Sequence, residues 1–151
     1  MDTNEIETIL SRNSHTKNSF KGVYARNRLP RRLRYPCSLV ANTDPDTFRG
    51  THWIAIYIDQ NRQGEYYDPM GIPPFHAAFE NFMHKHCHSW KYNEVQVQYP
   101  ATTVCGQHCI FYLIHRCTGK SMMDITSALR TDVYGNTFIV DDFLQYQKLL
   151  L

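Results

Sequence analysis

Residues Trp53-Ile54-Ala55-Ile56-Tyr57-Ile58 form an unbroken apolar run rich in β-branched side chains. It is far too short to cross a membrane, and β-branched residues lose side-chain freedom in a helix but pack well on a pleated surface. Such a run folds as a buried strand. The turn-forming stretch Asn61-Arg62-Gln63-Gly64 follows, and Glu65 to Asp68 returns as a partner strand, which makes an antiparallel hairpin. The rest of the chain must cover this hairpin.

The cover reads as helical. A short helix is expected over Glu5 to Ser11, with Asp2 and Glu5 as a capping pair. Pro73 and Pro74 are expected to open a second, running to about His86, since proline suits a first helical turn. From Cys105 to about Cys117 the spacing of Ile110, Phe111, Leu113 and Ile114 predicts a buried helix that Gly119 ends. Two more are expected near Met122 to Arg130, capped by Ser121 and Asp124, and over Phe138 to Leu149. Pro36-Cys37-Ser38-Leu39-Val40 reads as a further buried strand. Glu94 to Gln98 alternates polar and apolar residues and reads as a strand with one buried face. Strands in the middle and helices on the flanks give an α+β fold with a central, mostly antiparallel sheet.

At 151 residues the chain is expected to be one domain, residues 1–151, working as a monomer. Its hydrophobic fraction of 42% is ample for a core and excludes a disordered chain. No apolar run is long enough to span a membrane and the start Met1-Asp2-Thr3-Asn4-Glu5 is polar and acidic, so neither a transmembrane segment nor a signal peptide is expected, and an intracellular location is the expectation. Five cysteines cannot form a complete set of internal disulfides. In a reducing compartment most would be thiols. The net charge of +2 hides an uneven spread. Arg12, Lys17, Lys21, Arg26, Arg28, Arg31, Arg32 and Arg34 are half of the 16 basic residues, and no acid lies among them. This arm is either a solvated surface or a polyanion site centred on Arg26, Arg28, Arg31, Arg32 and Arg34.

Three segments carry chemistry. Gly50-Thr51-His52-Trp53 puts a histidine at the mouth of the strongest strand. Tyr66-Tyr67-Asp68-Pro69-Met70-Gly71 puts an acid at the end of the next. The start of one strand of an antiparallel hairpin lies beside the end of its partner, so His52 and Asp68 can meet. Gln98-Tyr99-Pro100-Ala101-Thr102-Thr103-Val104-Cys105-Gly106 delivers a cysteine to a helix N-terminus, where free N–H groups and the helix dipole stabilise a thiolate. An imidazolium beside it gives a pair able to attack a carbonyl, with Asp68 orienting the imidazole. Gln98 and the backbone N–H of Cys105 can receive the resulting oxyanion.

On these residues the sequence resembles the adenovirus-type cysteine proteases, the adenain family, and more distantly the proteases that process ubiquitin-like modifiers. Related proteases occur in adenovirus-like viruses and large self-synthesising transposons. Phe20-Lys21-Gly22-Val23-Tyr24 resembles that family's N-terminal Phe-x-Gly-x-Tyr, and Cys37 to Thr43 leading into His52-Trp53 resembles the approach to its catalytic histidine. Asp68-Pro69-Met70-Gly71 and Gln98-Tyr99-Pro100 through Cys105-Gly106 match its acid and its oxyanion–nucleophile segment. The resemblance implies a papain-like, adenain-like fold and a cysteine endopeptidase with Cys105 as nucleophile, His52 as base, Asp68 as orienting acid, Gln98 as oxyanion donor and Trp53 packed on the imidazole. It implies hydrolysis of protein or peptide substrates beside glycine, through a thioester acyl-enzyme that needs no cofactor for its chemistry. For a viral source it implies structural precursor proteins as substrates, virion maturation, and the host nucleus and the virion as locations. It also implies activation by viral DNA and by a short peptide joined through a disulfide, for which Cys87 resembles the linking cysteine. The family's viral enzymes carry Glu where this chain has Asp68, although the modifier proteases use Asp, and the chain after Cys117 is shorter than theirs and does not align.

Two other readings stand beside it. His84, His86, Cys87 and His88, or Cys105, His108, Cys109 and Cys117, offer zinc-ligand types, although no Cys-x-x-Cys pair is present. A non-catalytic module of the same fold, binding zinc or nucleic acid, is the second. The four residues His52, Asp68, Gln98 and Cys105 favour activity, since a dead copy has no need of all four, and no metal site is expected.

Overall fold

The computed structural model describes residues 1–48, 52–129 and 132–151. Gly50 and Thr51 of the histidine motif, and Arg130 at the expected end of a helix, lie outside the described residues. The elements run α1 (Thr3–Arg12), β1 (Phe20–Ala25), a short 3-10 turn (Arg26–Arg28), β2 (Cys37–Asn42), β3 (Trp53–Ile58), β4 (Gln63–Tyr67), α2 (Ala77–His86), β5 (Ser89–Tyr92), α3 (Cys105–Cys117), α4 (Met122–Ser127) and α5 (Asn136–Leu149).

The sheet has the order β1-β2-β3-β4-β5. Its centre, β2-β3-β4, is antiparallel as expected, while both edge pairs, β1 with β2 and β4 with β5, are parallel, so the sheet is mixed. Strand period two sorts its side chains onto two cores. Ile54, Ile56 and Ile58 of β3 join Tyr66 and the α2 residues Phe79, Phe82 and Met83 on one face. Ala55, flanked by Trp53 and Tyr57, joins Tyr67 and the buried sides of α1, α3, α4 and α5 on the other. The apolar run is continuous because helices cover both faces.

α3 is the central helix of the larger core, and both of its ends are fixed. Near its C-terminal end, the half-buried Arg116 donates Nε–H to the buried Glu65 of β4 at 2.9 Å and lies over the Tyr57 ring. Tyr112 donates its hydroxyl proton to the same carboxylate and stacks on Tyr67. Its N-terminal end, with Cys105, faces the start of β3. A capping box of Asp2 and Glu5 opens α1, and one of Ser121 and Asp124 opens α4, both as expected. Among the described residues no helix is long and apolar enough to cross a membrane.

Some expectations need correction. Residues 94–98 are not a strand: Val97 and Gln98 each donate their N–H to the Pro69 carbonyl oxygen, at 2.8 and 2.9 Å, instead of to a ladder. The edge strand is β5, just before them. Pro73 and Pro74 precede α2, which starts at Ala77 with His76 as its cap. α4 ends at Ser127, and α5 starts at Asn136, two residues early. β1 lies in a stretch with no strand expected.

Candidate active site

His52 enters just before β3, and its carbonyl accepts the N–H of Thr43 at 3.0 Å, which ties it to the end of β2. Its Nε2 lies 2.8 Å from Oδ1 of Asp68, the residue after β4, as the hairpin geometry requires. Asp68 is fully buried, and the same oxygen accepts the Met70 N–H at 2.8 Å. An ionised carboxylate only accepts, so Nε2 carries a hydrogen and Nδ1 is left for other chemistry.

Cys105 is the first residue of α3 and only 6% exposed. Burial alone pushes a thiol's pKa up. Here the hydrogen bond with His52, the imidazolium charge and the backbone N–H groups of Trp53 and Gly106 outweigh burial and bring it below its ordinary value. Burial likewise pushes His52 down, and its hydrogen bonds to Asp68 and Cys105, with their charges, overcome this and raise it from 6.5 to about 9. Both shifts favour a thiolate beside an imidazolium.

The acid turn is locked in place. Gly71 sits at φ +71°, and a Cβ there would lie 2.7 Å from the Gln96 nitrogen and 2.8 Å from the Val95 carbonyl carbon, so the turn packs directly on the 93–98 backbone. Asn93, which follows β5, accepts the Asp68 N–H at 2.9 Å and donates Nδ2–H to the Asp68 carbonyl. No sequence motif singles out Asn93.

The other expected site residues fall in distinct places. Gln98 is buried in the segment bonded to Pro69, and its side-chain amide donates to the Thr102 carbonyl at 3.1 Å. The same nitrogen also donates to the Thr102 hydroxyl oxygen, at 3.4 Å. The Trp53 ring packs against the α3 side of the sheet. Cys87 is 8% exposed in the α2-side core, and burial raises its thiol to about 11. An external disulfide there requires that core to open. Of its histidine neighbours, His86 is buried with Nδ1 2.9 Å from the Tyr35 hydroxyl, whereas His84 and His88 are exposed. Among the described residues no three His, Cys, Asp or Glu side chains converge as a metal ion would need. In the basic arm, Arg28 pairs with Asp46 at 2.7 Å and Arg26 donates to the Thr43 carbonyl, while Arg31, Arg32 and Arg34 are exposed.

No protein-family model matches the chain and no curated protein matches it in sequence. Solved structures do match. The ASFV pS273R protease superposes with a TM-score of 0.63 at 20% identity, over 87% of this chain and 62% of that one. The central domain of an uncharacterised Legionella pneumophila protein superposes with a TM-score of 0.61 at 11% identity, over 99% of this chain and 97% of that domain. The SUMO protease Ulp1 superposes with a TM-score of 0.47 at 13% identity, over 95% of this chain and 78% of that one. The chain shares the α+β fold of the ASFV pS273R protease and of the Legionella domain. The chain spans 62% of the length of the ASFV enzyme.

Proposed function

We propose that this chain is a cysteine endopeptidase. The observation that carries the reading is the alignment of Asp68, His52 and Cys105, with the thiol at a helix N-terminus and its pKa lowered. The Cys105 thiolate attacks a peptide carbonyl, and the His52 imidazolium gives its proton to the leaving amine. Water then attacks the thioester with His52 as base, which releases the acid and regenerates the pair. The backbone N–H of Cys105 and the side-chain amide of Gln98, exchanging its long bond to the Thr102 hydroxyl, receive the oxyanion in both steps. Asp68 keeps the imidazole in the tautomer that serves Cys105 and stabilises its charged form.

The likeness of fold to the ASFV protease supports peptide hydrolysis as the reaction. The motif resemblance supports cleavage beside glycine in structural precursor proteins of an adenovirus-like element, acting in the nucleus and virion. The exposed Arg31, Arg32 and Arg34 support a DNA contact. Activation by a peptide joined to Cys87 rests on the resemblance and requires the α2-side core to open.

Iodoacetamide and EDTA, applied separately during cleavage of a glycine-containing peptide, test the reading. Loss with iodoacetamide, none with EDTA, and label on Cys105 are expected. Label on Cys109 with Cys105 unmodified overturns the nucleophile assignment.

A further inference from the structure

The ladder between β4 and β5 runs through Tyr66 and Tyr92, and β4 ends at Tyr67. Asp68 therefore leaves the sheet with a backbone N–H and C=O that the ladder does not pair. Asn93 bonds both from one side chain, and the carbonyl also accepts the Gly71 N–H at 2.8 Å. Its Oδ1 accepts the Asp68 N–H at 2.9 Å, and its Nδ2 donates to the Asp68 carbonyl at 2.6 Å and to the Val95 carbonyl at 3.2 Å. A carboxamide has the same donor–acceptor pair as a peptide unit, so Asn93 extends the strand pairing by one residue. The orientation of the amide is fixed, because the Asp68 N–H needs an acceptor and the Val95 carbonyl a donor. Asn93 is 2% exposed, so water does not compete for these bonds.

We infer that Asn93 is a positioning residue of the proposed catalytic triad, holding the Asp68 backbone so that its carboxylate meets His52. Once Asn93 and the turn bond from the Gly71 N–H fix the backbone, only the side-chain torsions of Asp68 are free. The Met70 N–H fixes those by bonding Oδ1, the oxygen that faces His52 Nε2. The segment that carries Asn93 also carries Gln98, and the Pro69 carbonyl binds it through Val97 and Gln98. The acid and the oxyanion donor are thus set by one clamp. This inference rests on the protease reading, and its test separates the two.

The test compares Asn93→Ala and the milder Asn93→Ser with Asn136→Ala. Asn136 is also buried and donates to the same segment, at the Val97 carbonyl, but makes no bond to Asp68. The readouts are the pH dependence of kcat/KM and the NMR titration of His52, whose charged neighbours are Asp68 and Cys105. A displaced Asp68 lowers the His52 pKa, so the alkaline limb moves down from about 9 by about one unit or more. kcat should fall about tenfold or more with KM nearly constant. Asn93→Ser should shift the limb in the same direction by less. Asn136→Ala, even if it melts earlier, should leave the limb where it is. An unchanged His52 titration in both Asn93 variants, or an equal shift in Asn136→Ala, overturns the inference. If the wild type neither cleaves peptides nor alkylates at Cys105, the protease reading fails, while the His52 titration still decides the role of Asn93. If Asn93→Ala does not fold, Asn93→Ser and the NMR titration carry the decision.

Discussion

The first and second turns of α3 each hold a cysteine, and the two thiols are driven in opposite directions. Cys105 is brought below its ordinary pKa, and Cys109 is pushed well above it by burial. Both are buried, at 6% and 0% exposure, so burial does not tell them apart. Partners do. The first turn has backbone N–H groups that no carbonyl inside the helix uses, and it faces His52. In the second turn the helix consumes its own N–H groups, and Cys109 sits within the core that holds Tyr67 and Tyr112. The histidines repeat the contrast. His52 has Asp68 and rises to about 9, whereas His108, buried with no hydrogen-bond partner on either ring nitrogen among the described residues, falls to about 4 because of burial.

The strongest way to break this comparison is to exchange the two thiols' roles. Cys105→Ala should lower kcat/KM by about four orders of magnitude or more, while Cys109→Ala should stay within a few-fold once its milder folding loss is corrected. Peptide-cleavage kinetics on both variants decide it, and comparable losses in the two would end the distinction between the turns. Next in size, Asp68→Asn should cost about a hundredfold or more in kcat and let the His52 pKa fall from about 9 toward or below 6.5, read by NMR. Gly71→Ala should follow, at about 2 kcal/mol of stability measured by urea unfolding, because both its φ and the backbone of Val95 and Gln96 oppose a Cβ.

The smallest expected effect sharpens the comparison through pH. The folded-state pKa of His52 is raised, so its stabilisation is complete below about 6.5 and is lost as pH rises through about 9. That of His108 is depressed, so its contribution is present above about 6.5 and is lost as pH falls toward about 4. Melting temperature should therefore decline on both sides of neutrality. His108→Leu should flatten only the acidic side, and Asp68→Asn only the alkaline side. A His108→Leu protein that keeps the full acidic decline would show that other groups cause it.

How much of this was legible in the sequence depends on how local each cause is. The span of α3, the apolar β3 and both capping boxes follow from periodicity or from residues three apart, and they appear as expected. The meeting of His52 and Asp68 follows from hairpin pairing. β1 and β5 depend on parallel partners far along the chain, and β5 has only four residues. Residues 94–98 show the converse, since an alternating pattern with a strand's appearance is claimed by the Pro69 carbonyl. Asn93 carries no sequence signal, because its role lies entirely in two bonds to a residue 25 positions away.

The Pro69 carbonyl, shared by Val97 and Gln98 and backed by Gly71 against Gln96, also bears on how this protein can be re-engineered. The loops 68–71 and 93–98 are a single transplantable part. A chimera that imports one loop without the other, or lengthens either by a residue, breaks the seam between them. Exchanges that retain activity should therefore move both loops together, while the α2 side of the sheet accepts changes on its own.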